Sequence, residues 1–130
     1  MIYKFQFYSR LSININKTMQ FKAPKNTARF FWTGHALGKM QYYGLSAQRI
    51  LRVINNPIRV EEGIAEKTTA VMQPASLNNK KKTWSSEIWV MYQPDKARHK
   101  IISAWRYPGV SPKRNSIPQE IMDEVKDLVS

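Results

Sequence analysis

His35, Lys39 and Tyr42 recur at i, i+4 and i+7, the spacing that puts three side chains on one face of an α-helix. Of these, the imidazole of His35 and the ammonium of Lys39 suit proton transfer and charge stabilisation at a phosphodiester. Metal-free RNA cleavage needs a base for the 2′-hydroxyl proton, cations for the charge on phosphorus, and an acid for the leaving 5′-oxygen. His35 is the candidate base. It falls in the first turn of the helix, where the helix dipole and Lys39 both disfavour the imidazolium. A surface or capping histidine is the alternative. Lys39, one turn on, is a candidate phosphate ligand. Arg106 is another, because a guanidinium holds phosphate bidentately. His99, in a charged turn, is the candidate acid.

Further candidates concern binding. Arg49 and Arg52 lie opposite the apolar face of a second helix, where they are either solvated side chains or phosphate contacts. Lys80, Lys81 and Lys82 form a basic run in a long polar loop, and Arg98 sits beside His99. Trp105 and Tyr107 flank Arg106 and are candidate stacking groups, with a core position as the alternative for Trp105. Strand alternation sends both to the face opposite Arg106.

The elements that must position these residues follow from pattern. Thr33 reads as an N-cap and Gly44 as the residue after the last turn, with Ala36, Leu37, Met40 and Tyr43 as the apolar stripe between them. Ser46 caps a second helix with Ala47, Ile50, Leu51 and Ile54 inward, and Asn56-Pro57 ends it. The short connection makes the two helices a hairpin. Ile58–Ile64 reads as a strand with Ile58, Val60 and Ile64 inward, and Thr68–Met72 as its partner. Glu87–Gln93 is apolar on both faces and reads as a covered strand. Lys100–Tyr107 pairs with it antiparallel across a turn at Pro94–His99. Phe21–Trp32 reads as a loop or irregular strand feeding the first helix. Near the C-terminus, Ser116-Ile117-Pro118-Gln119 fits a capping box. Ile117, Ile121, Val125, Leu128 and Val129 then form the apolar face of an acidic amphipathic helix.

Composition narrows the partners. A chain of 130 residues, 42% hydrophobic, is ordinary for one globular domain. The absence of cysteine excludes disulfides, thiolate metal sites and a cysteine nucleophile. With two histidines, and carboxylates concentrated near the C-terminus, no metal-ligand spacing stands out, and neither a metal nor another cofactor is expected. No apolar run reaches the roughly 20 residues that span a bilayer, and no secretory signal is evident. The expectation is a cytoplasmic protein without a membrane partner. Met19 is an alternative natural start to Met1.

The net charge is +12, and it is segregated. Residues 1–60 hold ten Lys or Arg and no Asp or Glu, and Lys96–Gln119 is acid-free as well. A surface of this kind favours a phosphate-bearing polymer, with RNA as the expected partner. An acidic protein is the alternative.

The pattern Thr33-x-His35-Ala36-x-x-Lys39-Met40-x-x-Tyr43-Gly44-Leu45-Ser46, continued by Asn56-Pro57 and Arg59-Val60-Glu61, resembles the bacterial domain-of-unknown-function 4258 family. That family looks like a distant relative of the RelE/ParE-type toxins and of the barnase, EndoU and colicin nuclease fold. The resemblance covers roughly residues 33–108. It implies a toxin-type, metal-independent ribonuclease and an antitoxin partner. A barnase-style glutamate base on an early helix is missing, since the first acid is Glu61.

The expected fold is α+β: two N-terminal helices packed on a four-stranded antiparallel sheet, with an added C-terminal helix. The expected organisation is a peripheral extension (1–32), a RelE-like α-α-β-β-β-β domain (33–108), and a basic linker with the terminal helix (109–130). A non-catalytic nucleic-acid-binding module on the same fold is the rival to the ribonuclease.

Overall fold

The computed structural model describes residues 21–65, 67–76 and 83–128. The triple-lysine run Lys80–Lys82, both candidate start methionines and Val129 lie outside these residues. The element order is β1 (Phe30–Trp32), α1 (Gly34–Tyr43), α2 (Ala47–Asn55), β2 (Arg59–Glu62), β3 (Thr69–Pro74), β4 (Ser86–Asp95), β5 (Arg98–Pro108) and α3 (Gln119–Val125). The class is α+β. No helix among the described residues is long and apolar enough to cross a membrane.

Among the described residues the sheet has five strands in the order β1-β5-β4-β3-β2, not four. It is mixed, because β1 runs parallel to β5, with Phe30 opposite His99 and Trp32 opposite Ile101. Three residues are too few to display a period-2 pattern, and parallel pairing is non-local, so β1 left no local signal. The other pairings are antiparallel. The β4–β5 hairpin is tighter than expected. Its turn is only Lys96–Ala97, with Lys96 in the left-handed region at φ 60°.

Both helix starts follow the caps. The Thr33 hydroxyl accepts from Ala36 N at 3.0 Å and donates to the Ile101 carbonyl at 2.8 Å, tying α1 to β5. Ser46 accepts from Arg49 N at 3.1 Å. Gly44 closes α1 at φ 68°, a conformation costly for residues with a Cβ. Between Thr33 and Gly44, α1 runs alongside β5. His35 near its start meets Ser103, and the Tyr43 carbonyl at its end meets Arg106.

Strand β2 has the opposite facing from that expected. Ile58 and Val60 are 52% and 63% exposed, whereas Arg59 and Glu61 turn inward. The reason is Glu87 on β4, fully buried and held from several sides. Its carboxylate accepts from Trp84 Nε1 and Trp89 Nε1, each at 2.9 Å, and from the Ser111 hydroxyl at 2.6 Å and amide at 3.2 Å. Arg59 lies 3.6 Å from it, above the Trp89 ring, and bonds Glu61 and the Ser111 and Pro112 carbonyls. A buried charge needs such partners, and they outweigh the burial that Ile58 and Val60 would have gained.

Ser116 does not close a capping box. Its hydroxyl donates to Glu61 at 2.8 Å, its carbonyl accepts from Trp105 Nε1 at 3.1 Å, and α3 starts only at Gln119 with no side-chain cap. Trp105 stacks on Trp89, centroids 6.0 Å apart and planes 3° from parallel. The segment 111–125 therefore covers the Glu87–Trp89 face of the sheet, and α2 packs on the opposite face.

Glu87→Gln replaces a four-donor acceptor by an amide that must turn an N–H toward donors. It should cost about 3 kcal/mol of stability, as expected for breaking a buried charged network. Urea unfolding followed by tryptophan fluorescence measures this, and an unchanged midpoint would contradict the role given to Glu87.

Candidate nucleic-acid interface

The expected catalytic set falls in three places. His35 and Lys39 share a face of α1, as their spacing requires. His35 Nε2 lies 3.0 Å from the buried Ser103 hydroxyl. Lys39 Nζ lies 2.8 Å from Glu124 of α3, with the rings of Tyr42 and Tyr43 at 5.3 and 6.0 Å. Burial lowers the His35 pKa; Glu124 raises it and Lys39 lowers it, and the net direction is down. The imidazole is therefore biased toward its neutral form. The ammonium of Lys39 is already matched by a carboxylate, so a phosphate there would compete with Glu124.

Arg106 stands elsewhere. It is three residues from Ser103 on β5, on the other face of the sheet by strand alternation. In register, Gln73, Ile88 and Arg106 lie side by side across β3, β4 and β5. Arg106 Nε donates to the Tyr43 carbonyl at 2.9 Å. At the other end of the row, Arg49 donates to the Gln73 side-chain oxygen and to the Pro74 carbonyl, the latter at 2.9 Å. Gln73 in turn donates to the carbonyls of Arg52 at 3.1 Å and Asn56 at 2.8 Å, fixing the end of α2 to the sheet. The pKa of Arg49 is lowered by burial first, then by the charges of Arg52 and Arg106.

Three guanidiniums thus share one electrostatic neighbourhood. The hydrogen-bond partners of Arg49 are neutral, and among the described residues neither Arg49 nor Arg52 makes an ion pair. A doubly bonding oxyanion is the ligand that relieves such repulsion. Arg49 and Arg52 are one turn apart on α2, but Arg106 joins them only through the register of β3, β4 and β5, which local sequence does not encode. Gln73, which braces Arg49, was not foreseen, nor was Ser103 as the partner of His35.

The remaining candidates are dispersed. His99 lies between Phe30 and Tyr92, with ring centroids at 5.8 and 4.8 Å. It is four residues before Ser103 on β5, about 13 Å along the strand, too far to act as the acid beside His35. Arg98 pairs with Asp95 at 3.1 Å and covers Phe31. Tyr107 is half-buried, opposite Glu87 in the register. Trp105 is fully buried against Trp89, so its ring is closed to a nucleobase. Among the described residues no three His, Cys, Asp or Glu side chains are grouped as metal ligands.

No protein-family model matches the chain, and no curated protein or solved structure is significantly similar to it.

The His35 shift has a measurable consequence. Its folded pKa lies below the ordinary value of about 6.5, so below that pH the unfolded chain takes up a proton that the folded chain resists. His35 therefore stabilises the fold above pH 6.5, and that contribution is lost as pH falls through the folded pKa. His35→Gln should flatten the loss of stability as pH falls below about 6.5, measured by urea midpoints across a pH series. Parallel profiles for the two proteins would contradict this assignment.

Proposed function

We propose that this protein binds the phosphodiester backbone of RNA through Arg49, Arg52 and Arg106. The observation that carries this reading is that Arg49, braced on Gln73, lies within electrostatic range of Arg52 and Arg106, with no carboxylate paired to Arg49 or Arg52 among the described residues. The segregated charge of the chain supports it, because basic residues dominate the first 60 positions.

A second reading adds catalysis, and the environment of His35 favours it. A half-buried imidazole biased toward the neutral form, one helical turn from Lys39, suits a general base. On this reading the protein is a metal-independent endoribonuclease of toxin type. His35 takes the 2′-hydroxyl proton and Lys39, released from Glu124, steadies the phosphate. An acidic antitoxin would be the matching protein partner.

Arg52→Gln and Arg106→Gln should each weaken RNA binding roughly tenfold, the worth of one charge-assisted hydrogen bond, measured by fluorescence anisotropy with melting curves as the fold control. Unchanged affinity in both variants would remove the arginine cluster from the interface. Incubation with total RNA in EDTA separates the two readings. Cleavage abolished by His35→Ala supports the nuclease, whereas bound but intact RNA leaves binding alone.

A further inference from the structure

The β1 end of the sheet carries a second group of cations, and there they rest on aromatic rings. The Arg29 guanidinium lies 5.4 Å from the centroid of Phe30, and that of Arg98 lies 5.0 Å from Phe31. Phe30 and Phe31 are consecutive on β1, so they point to opposite faces of the sheet. Two guanidinium-capped rings therefore bracket its edge. Behind Phe30, His99 and Tyr92 continue the aromatic row on the same face. All four rings are half-buried, anchored in the fold with part of their surface open.

The charge around these rings is positive. Arg29 is exposed, and Lys96 is exposed at the hairpin turn. Asp95, the nearby acid on the hairpin, is already bound to Arg98. Guanidinium planes on aromatic rings offer two things at once: flat faces for stacking and donors for phosphate. The bases of a duplex already stack on one another, so only an unpaired base can use such faces. His99 and Arg106 are seven residues apart on β5, roughly 20 Å, so this end and the arginine cluster would engage different nucleotides.

We infer that the β1 end of the sheet, built from Arg29 on Phe30 and Arg98 on Phe31, stacks unpaired bases, which makes the preferred ligand single-stranded RNA. The inference rests on the backbone-binding reading and assigns its substrate class.

The test uses the full chain and one short oligoribonucleotide, either alone or annealed to its complement, followed by fluorescence anisotropy. The wild type should bind the single strand about tenfold more tightly than the duplex. Arg29→Gln and Phe31→Leu should each lose roughly five- to tenfold on the single strand, the worth of about one stacked base, and clearly less on the duplex. Arg29 is exposed, so its replacement keeps the test valid if Phe31→Leu disturbs folding. Equal losses on both ligands, or none, would overturn the stacking assignment. Arg52→Gln separates the two sites. If it weakens both ligands while Arg29→Gln weakens neither, the backbone reading stands and this inference falls. Absence of binding by the wild type overturns both.

Discussion

The buried carboxylate of Glu87 is the joint on which the rest of the architecture depends. A fully desolvated charge is tolerated only where its lone pairs are satisfied. Here two indole N–H groups, a hydroxyl and a backbone amide do so, with Arg59 alongside. The two indoles are close in sequence, on Trp84 and Trp89, but Ser111, which gives both other donors, and Arg59 come from distant segments, so meeting the need of Glu87 also assembles the structure. Arg59 turns β2 over. Ser111 starts the C-terminal segment across the sheet, and Glu61 holds it there through Ser116. Ser116 then meets Trp105, which lies on Trp89. The pKa of Glu61 shows the same balance: burial raises it, but hydrogen bonds from Arg59, Ser116 and the Arg114 backbone, with the charge of Arg59, leave it below the usual carboxylate range.

This use of the acids shapes the surface. Glu61 and Glu87 are spent on Arg59, Asp95 on Arg98, and Glu124 on Lys39. Arg59 is thereby a structural residue despite its charge, and Arg98 is partly neutralised. Among the described residues no carboxylate is paired with Arg49 or Arg52. The net charge of +12 is therefore felt unevenly: where a cation is matched it builds the fold, and where it is not it makes a field for an anion.

Local signals were legible wherever the governing interaction was local. Thr33, Gly44 and Ser46 delimit the helices because caps act within a few residues. The β4–β5 hairpin follows from its alternation and turn. The His35–Lys39 face follows from helical spacing alone. What escaped depended on distant partners. The facing of β2 was decided by Glu87, 28 residues beyond Arg59, so hydrophobicity at Ile58 and Val60 pointed the wrong way. The strand β1 needed β5. The hydroxyl of Ser116 had a better partner in Glu61 than a cap could offer. In the candidate site, Arg106 reads equally well beside His35 or beside Arg49 until the sheet register and the path of α1 are known. Only the register places it with Gln73 and Arg49.

The most direct test of the arginine cluster is the salt dependence of RNA binding. Each phosphate neutralised by a cation contributes about 0.7 to the slope of log affinity against log salt for a single strand. Comparing the wild type with Arg49→Gln/Arg52→Gln isolates the contribution of those two guanidiniums. The account predicts a steep wild-type slope that falls by about 1.4 in the double variant. A slope identical in the two proteins would contradict it and leave the cations of Arg49 and Arg52 without a phosphate to bind.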